Sequence, residues 1–252
     1  MTLLLDSPLA SAITGFDAIT ANGEIYGGQD CIDGLVSIPG YLDIVTAPDG
    51  QTAMRSRITG SDALTYGGIR SEVDWTPDTG ERWYVFDVYL PHFVDDGVQF
   101  SFMQIHDSPD GGESPVKFPN FEFTVQDGNI VCLVPLSTPS EATSSSREIA
   151  RFPGTFGRFV KCTLHVNWAT DSTGWLEVYY DGYKVAQEWS RASGYSDAVG
   201  PYIKLGLYDL FHVGFSGERE AYYRNVQIYD SGHSVTNVLG RRPRSCLPFL
   251  LA

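Results

Sequence analysis

Three short stretches place chemically capable side chains on one face of an alternating run. They are Arg70-Ser71-Glu72, Gln104-Ile105-His106 and Lys204-Leu205-Gly206-Leu207-Tyr208. In an extended strand, side chains alternate faces with period two, so each polar pair (Arg70/Glu72, Gln104/His106, Lys204/Tyr208) lies on one side of its strand. If the three strands are neighbours, one surface holds a guanidinium, an amide, an imidazole, an ammonium and a phenol. That set suits a β-elimination next to a carboxylate. The proton α to a uronic-acid carboxylate becomes removable once the carboxylate charge is neutralised and the developing enolate is stabilised. Arg70, Gln104 and Lys204 are the candidates for neutralisation. A base must take the proton and an acid must protonate the leaving glycosidic oxygen. His106, of ordinary pKa about 6.5, and Tyr208, about 10, are the candidates for these roles. Cations beside Tyr208 should lower its pKa toward a useful range.

Each piece alone has a plainer reading. An Arg-x-Glu on a strand is an ordinary salt bridge, a Gln-x-His at a strand end an ordinary surface pair, and a strand tyrosine ordinary packing. The shared parity of all three favours the functional reading. In Tyr202–Tyr208, Ile203, Leu205 and Leu207 face a core, while Tyr202, Lys204, Gly206 and Tyr208 face the other way, with Gly206 expected where a ligand approaches the backbone. His165 and Trp168 fall on opposite faces of their strand, and His165 reads as a satisfied histidine outside the site. No Gly-x-Ser-x-Gly elbow is present. Glu122 and Glu177 both lie on strands, which keeps a glycosidase pair open, although nothing in the sequence brings them together.

The elements that must position these groups are short strands. Alternation marks Thr52–Ile58, Ile69–Trp75, Trp83–Leu90, Val98–His106, Phe159–Trp168, Trp175–Tyr180, Lys184–Glu188 and Ala221–Tyr229. Phe121–Val125 and Ile130–Leu136 flank Asp127-Gly128-Asn129 as a hairpin. Leu35–Ile38 and Tyr41–Val45 are short apolar pieces in a Gly- and Asp-rich N-terminal stretch. Asp107–Pro119 and Ser137–Arg147 read as mobile loops bordering the site. No amphipathic helix or internal repeat is evident. The expected fold is all-β: a two-sheet antiparallel β-jelly roll, a concanavalin-like sandwich. It is expected as a single domain over 1–252, with its core at about 50–230 and a peripheral N-terminus and tail. The strands at 69–75, 98–106 and 202–208 should share one concave sheet.

Composition bounds the rest. The 252 residues are 42% hydrophobic and 13% aromatic, enough for a sizeable core. The net charge of −14 argues against a nucleic-acid or anionic-membrane partner. An acidic polymer would need a locally basic site. Cys31, Cys132, Cys162 and Cys246 have no zinc-ligand spacing, and Cys132 and Cys162 read as buried thiols. The N-terminus carries no clear signal peptide and no run reaches transmembrane length. Function outside the cell or on a virion would then need another route of release.

With these residues in order, the chain resembles the jelly-roll polysaccharide lyases of the heparin lyase I and glucuronan lyase type and, more distantly, the alginate lyases. Those families carry RSE, QIH and YxKxGxY motifs. Val88-Tyr89-Leu90-Pro91, His165-Val166-Asn167-Trp168, Gly174-Trp175-Leu176-Glu177-Val178, Asp181-Gly182 and Tyr223-Arg224-Asn225-Val226 extend the likeness over residues 50–230. The resemblance implies a lyase acting on a glucuronan-, alginate- or heparin-like uronic-acid polysaccharide. Gln104 and Arg70 would neutralise the carboxylate. His106 would assist or act as base for one sugar configuration, and Tyr208 would be the acid, and also the base in a syn elimination. Substrate would be held by Lys204, with Tyr202, Glu72, Arg57 and Lys117 as further candidates; Glu72 also reads as the partner that fixes Arg70. No cofactor is required for this chemistry, and the resemblance allows a structural calcium whose ligands the sequence does not name. The runner-up is a non-catalytic carbohydrate-binding sandwich, a virion or cell-surface component.

Overall fold

The computed structural model describes residues 2–9, 13, 16–21, 23–27, 38–65, 67–75, 78–92, 96–107, 118–136, 145–209, 215–239 and 244–245. Its strands are β1 (Leu3–Ser7), β2 (Ala18–Ala21), β3 (Glu24–Gly27), β4 (Leu42–Thr46), β5 (Thr52–Thr59), β6 (Arg70–Trp75), β7 (Gly80–Tyr89), β8 (Phe100–His106) and β9 (Phe121–Gln126). There follow β10 (Asn129–Pro135), β11 (Ser146–Pro153), β12 (Phe159–Trp168), β13 (Trp175–Tyr180), β14 (Tyr183–Glu188), β15 (Tyr202–Asp209), β16 (Glu218–Tyr229) and β17 (Arg244–Ser245). A short helix, α1 (Val235–Leu239), lies between the last two.

The strands form two sheets, antiparallel except for the β14–β17 pair. One runs β17-β14-β13-β12-β7-β16-β5-β4, with β1 paired to β16; the other runs β11-β10-β9-β8-β15-β6-β2-β3. This is the two-sheet jelly-roll sandwich that the alternation predicts. The alternating apolar residues of both sheets meet in one core that includes Ile58, Phe86, Val88, Leu164, Val166 and Tyr223 from the first, and Val73, Phe102, Ile105, Phe123, Leu205 and Leu207 from the second. Polar contacts also reach from sheet to sheet through this core. Tyr223 donates its hydroxyl to the Phe102 carbonyl at 2.8 Å, and Ser56 donates to the Ser71 carbonyl at 2.6 Å.

The β9–β10 hairpin turns at Asp127 and Gly128, both at positive φ (49° and 73°), the geometry of a tight two-residue turn. Strand β11 falls partly inside the Ser137–Arg147 stretch read as a loop, so that reading is corrected at Ser146 and Arg147. Its sequence, Ser-Arg-Glu-Ile-Ala-Arg-Phe-Pro, does not alternate cleanly. It is a charged edge strand, and charge on an edge discourages pairing with other chains at the cost of a legible pattern. Arg147 forms an ion pair with Glu188 on β14, tying the two sheets at that end. Residues 35–37, 108–117 and 137–144 lie outside the described residues, and with them most of three segments singled out above.

Candidate active site

Strand β15 lies between β6 and β8. Against β6, Tyr208 faces Arg70, Gly206 faces Glu72 and Lys204 faces Asp74; against β8, Tyr202 faces His106 and Lys204 faces Gln104. Directly opposed residues share a face. Arg70, Glu72, Gln104, His106, Tyr202, Lys204 and Tyr208 therefore stand together on the face turned away from the core. Tertiary pairing gathers what sequence parity only allowed.

Glu72 is the hub of the contacts. It is 1% exposed, accepts a 2.7 Å hydrogen bond from Gln104 Nε2, and lies 3.4 Å from Arg70 Nη1. These two contacts make it a support for Arg70 and Gln104, the fixing role read for it above. The Arg70 guanidinium stands 4.3 Å over the Tyr208 ring, and Lys204 Nζ is 5.4 Å from the centre of the Tyr202 ring. His106 Nδ1 is 2.6 Å from the Asp107 carbonyl. A carbonyl only accepts, so Nδ1 carries the proton and the basic lone pair of the neutral ring is on Nε2. Asp107 is held in turn by Asn120 Nδ2 at 3.0 Å and the Tyr195 amide at 3.3 Å, which anchors the end of β8.

Burial governs the electrostatics. It raises the Tyr208 pKa, with Glu72 and Glu122 adding to the rise and Arg70 and Lys204 opposing it. The expected lowering by neighbouring cations is thus overturned, because removing the phenol from water costs more than Arg70 and Lys204 return. Tyr202 is raised for the same reason. Burial also opposes the charge on Lys204, but Glu72 and Asp74 across the strand outweigh it and raise its pKa. Asp74 is raised to about 6 by burial and by Glu72, against the pull of Lys204.

Gly206 corrects another expectation. Its φ is +145°, and a Cβ there would lie 2.0 Å from the Ser71 carbonyl oxygen. The glycine serves a close approach of β15 to β6, not of a ligand to the strand. The β15–β8 register slips between Leu205 and Tyr208, a β-bulge. Ser56 repairs the disturbed ladder from the opposite sheet, accepting from the Leu207 amide at 2.9 Å while donating to Ser71.

Arg57 is not part of the cluster. It lies on β5 in the other sheet, ion-paired with Glu218 at 2.8 Å, on the opposite strand face from the core residues Met54 and Ile58. Sequence parity assigns a face but not a sheet. Lys117 lies outside the described residues. His165, also in the other sheet, stacks on Trp83 at 3.4 Å between Glu81 (2.9 Å) and Glu177 (3.5 Å). Sequence reasoning missed two residues of the site face. Asp74 shares the parity of Arg70 and Glu72 and was legible. Glu122 was not, because only the pairing of β9 with β8 puts it opposite Gln104.

A family model described as polysaccharide lyase matches residues 13–227. The chain belongs to the polysaccharide lyase family. It is therefore an enzyme, which removes the binding-module reading. Among solved structures, it is similar to the endo-β-1,4-glucuronan lyase of the fungus Trichoderma reesei, with a TM-score of 0.72, 18% identity, and coverage of 94% of this chain and 98% of that one. It is similar also to the family-7 alginate lyase A1-II', with a TM-score of 0.66, 18% identity, and 90% and 100% coverage. The alginate lyase of a Corynebacterium species gives a TM-score of 0.59, 17% identity, and 90% and 100% coverage. No curated protein matches the chain. At such identities the structural likeness shows the shared fold. Among the described residues of this lyase, no group of three His, Cys, Asp or Glu side chains is placed to hold a metal ion. No helix among them is long and apolar enough to cross a membrane.

Proposed function

We propose that this lyase cleaves a uronic-acid polysaccharide by β-elimination, on the face formed by β6, β15 and β8. The observation that carries the reading is the register that sets Tyr208 against Arg70, and Lys204 between Gln104 and Asp74. Arg70 and Gln104 take the uronate carboxylate, and Glu72 holds both in place. His106 Nε2, the ring nitrogen with the free lone pair, removes the α proton. The released electron pair forms the new C=C bond, the glycosidic C–O bond breaks, and Tyr208 protonates the leaving oxygen. A phenol whose pKa is raised by burial holds its proton until that oxygen needs it, which suits the acid role. Lys204, beside Tyr202, holds the neighbouring sugar.

The likeness to lyases named for glucuronan and alginate supports these two polymers as substrates. A hydrolase using Glu122 and Glu177 is disfavoured, because β9 and β13 belong to different sheets. The test is a panel of glucuronan, alginate and heparin followed by absorbance near 230 nm (roughly, the unsaturated uronate), with an increase expected on at least one polymer. New reducing ends without that absorbance would mean hydrolysis and would end the elimination reading.

A further inference from the structure

Glu122, a titratable side chain on the site face, has no part in the mechanism above. Glu122 on β9 stands directly opposite Gln104 on β8, extending the row Asp74–Lys204–Gln104 by one strand. On its other side it pairs with Leu133 of β10. It is 0% exposed, and neither carboxyl oxygen has a hydrogen-bond partner. The carboxylate of Glu72 acts on it, and it acts in turn on Tyr208.

An ionised carboxylate cannot persist there. With no donor to hold it, burial and the negative Glu72 both drive it to the protonated form. A protonated carboxyl brings one O–H donor, and this donor has no acceptor. A buried, unsatisfied donor is costly and calls for an explanation. Gln104, its neighbour, has its amide nitrogen on Glu72 and so holds the carboxylate-binding point next to Glu122. The acceptor absent from this row is an anion, and a uronate carboxylate supplies one. A hydrogen bond from a neutral acid to such an anion is charge-assisted, and it strengthens as the group gathers enolate charge. A carboxylic acid kept neutral by burial is an effective donor to a developing enolate.

We propose that Glu122 is a further catalytic residue, a neutral carboxylic acid that donates a hydrogen bond to the uronate carboxylate beside Gln104 and Arg70 and grips it harder as the enolate forms. This rests on the β-elimination reading. It adds a third donor to the two already assigned, and it explains why a glutamate occupies a fully buried position where leucine or methionine would pack without penalty.

The test uses the full chain with Glu122→Gln, which keeps a donor, and Glu122→Leu, which removes it. The Leu variant replaces an unsatisfied group by an apolar one of similar size, so its thermal midpoint should be equal to or above that of wild type. Its kcat should fall about 100-fold, the scale for losing one enolate or oxyanion donor, with KM changed by less than about threefold. The Gln variant should stay within about tenfold of wild type, a weaker donor in the same place. A Leu variant within about threefold of wild type, or a Gln variant as impaired as Leu, overturns the proposal. Infrared difference spectroscopy supplies a readout that needs no turnover and no folded Leu variant. Wild type should show a protonated carboxyl stretch at neutral pH that Glu122→Gln lacks. That band should move to lower wavenumber on saturation with a glucuronate or mannuronate oligomer. A missing band, or one that the oligomer leaves in place, overturns the role of Glu122. Wild type that cleaves no polymer on the panel instead overturns the lyase reading, and the band shift still decides whether Glu122 meets the carboxylate.

Discussion

At the scale of single residues, the site combines buried cations with a phenol that burial keeps protonated. Tyr208→Phe keeps the ring under Arg70 and removes only the hydroxyl. Turnover should fall at least about 100-fold, as for loss of a general acid–base group. Stability should change by about 1 kcal/mol, the worth of one hydrogen bond. Polymer affinity should be kept, because the carboxylate contacts remain. Equal cleavage by wild type and variant would pass the acid role to His106. Glu72→Gln tests the support beneath the carboxylate-binding pair. It removes the charge facing Arg70 and leaves a single acceptor where Gln104 Nε2 now bonds at 2.7 Å. Hydrogen bonds to charged groups are worth about 1.5–3 kcal/mol, so the denaturation midpoint should drop accordingly. The kcat should drop with it, as Gln104 and Arg70 lose their fixed orientation. A variant with unaltered kcat would mean that these two side chains need no anchor.

At the scale of elements, β15 is the strand that everything else must fit. Its inner face is plain core, while its outer face joins the residues of β6 and β8. The bulge at Gly206 is the feature that permits both registers. Gly206→Ala should therefore destabilise the protein by at least about 1–3 kcal/mol, because the new methyl meets the Ser71 carbonyl and the positive φ adds strain. Thermal denaturation of the variant against wild type measures this, and an unchanged midpoint would show that β15 can be repositioned freely. Ser56→Ala should cost about 1–3 kcal/mol by leaving the Leu207 amide and Ser71 carbonyl unsatisfied in the core. It should also loosen Tyr208, one residue beyond the contact. Faster amide exchange at Leu207 in the variant is the expected sign.

At the scale of the whole molecule, an acidic chain builds a site whose charge is balanced by pH. Arg70 and Lys204 face Glu72 and Asp74, and Asp74 titrates at about 6 against an ordinary 3.8. Its folded pKa is the higher one. The stability it contributes is complete below about 4 and is lost as pH rises through about 6. That shift of roughly two pKa units, in which the pull of Lys204 is already included, corresponds to about 3 kcal/mol at most. Asp74→Asn should flatten the stability profile between pH 4 and 6.5 (approximate limits), measured by denaturant titration across that range. A variant that keeps the wild-type slope would assign the titration to another group. The same protonation leaves the site face more positive, so binding of a uronate polymer should tighten as pH falls from about 7 to about 5.5.

The sequence by itself determined the strands from β4 to β10 and from β12 to β16, their inward and outward faces, and the three polar pairs that share a face. Those properties follow from local chain geometry, since period-two alternation needs no knowledge of neighbours. It left β11 unread, because the charges of this edge strand interrupt the apolar alternation that would mark it. Only the tertiary structure decided which strands are adjacent, and hence that Arg70 meets Tyr208, that Glu122 meets Gln104, and that Arg57 stands in the other sheet. It also reversed the expected shift of Tyr208. A pKa depends on every atom that excludes water from the group, and those atoms come from strands far apart in the chain. Gly206 followed the same rule: glycine is visible in the sequence, but the backbone that its missing Cβ admits is 135 positions away, at Ser71.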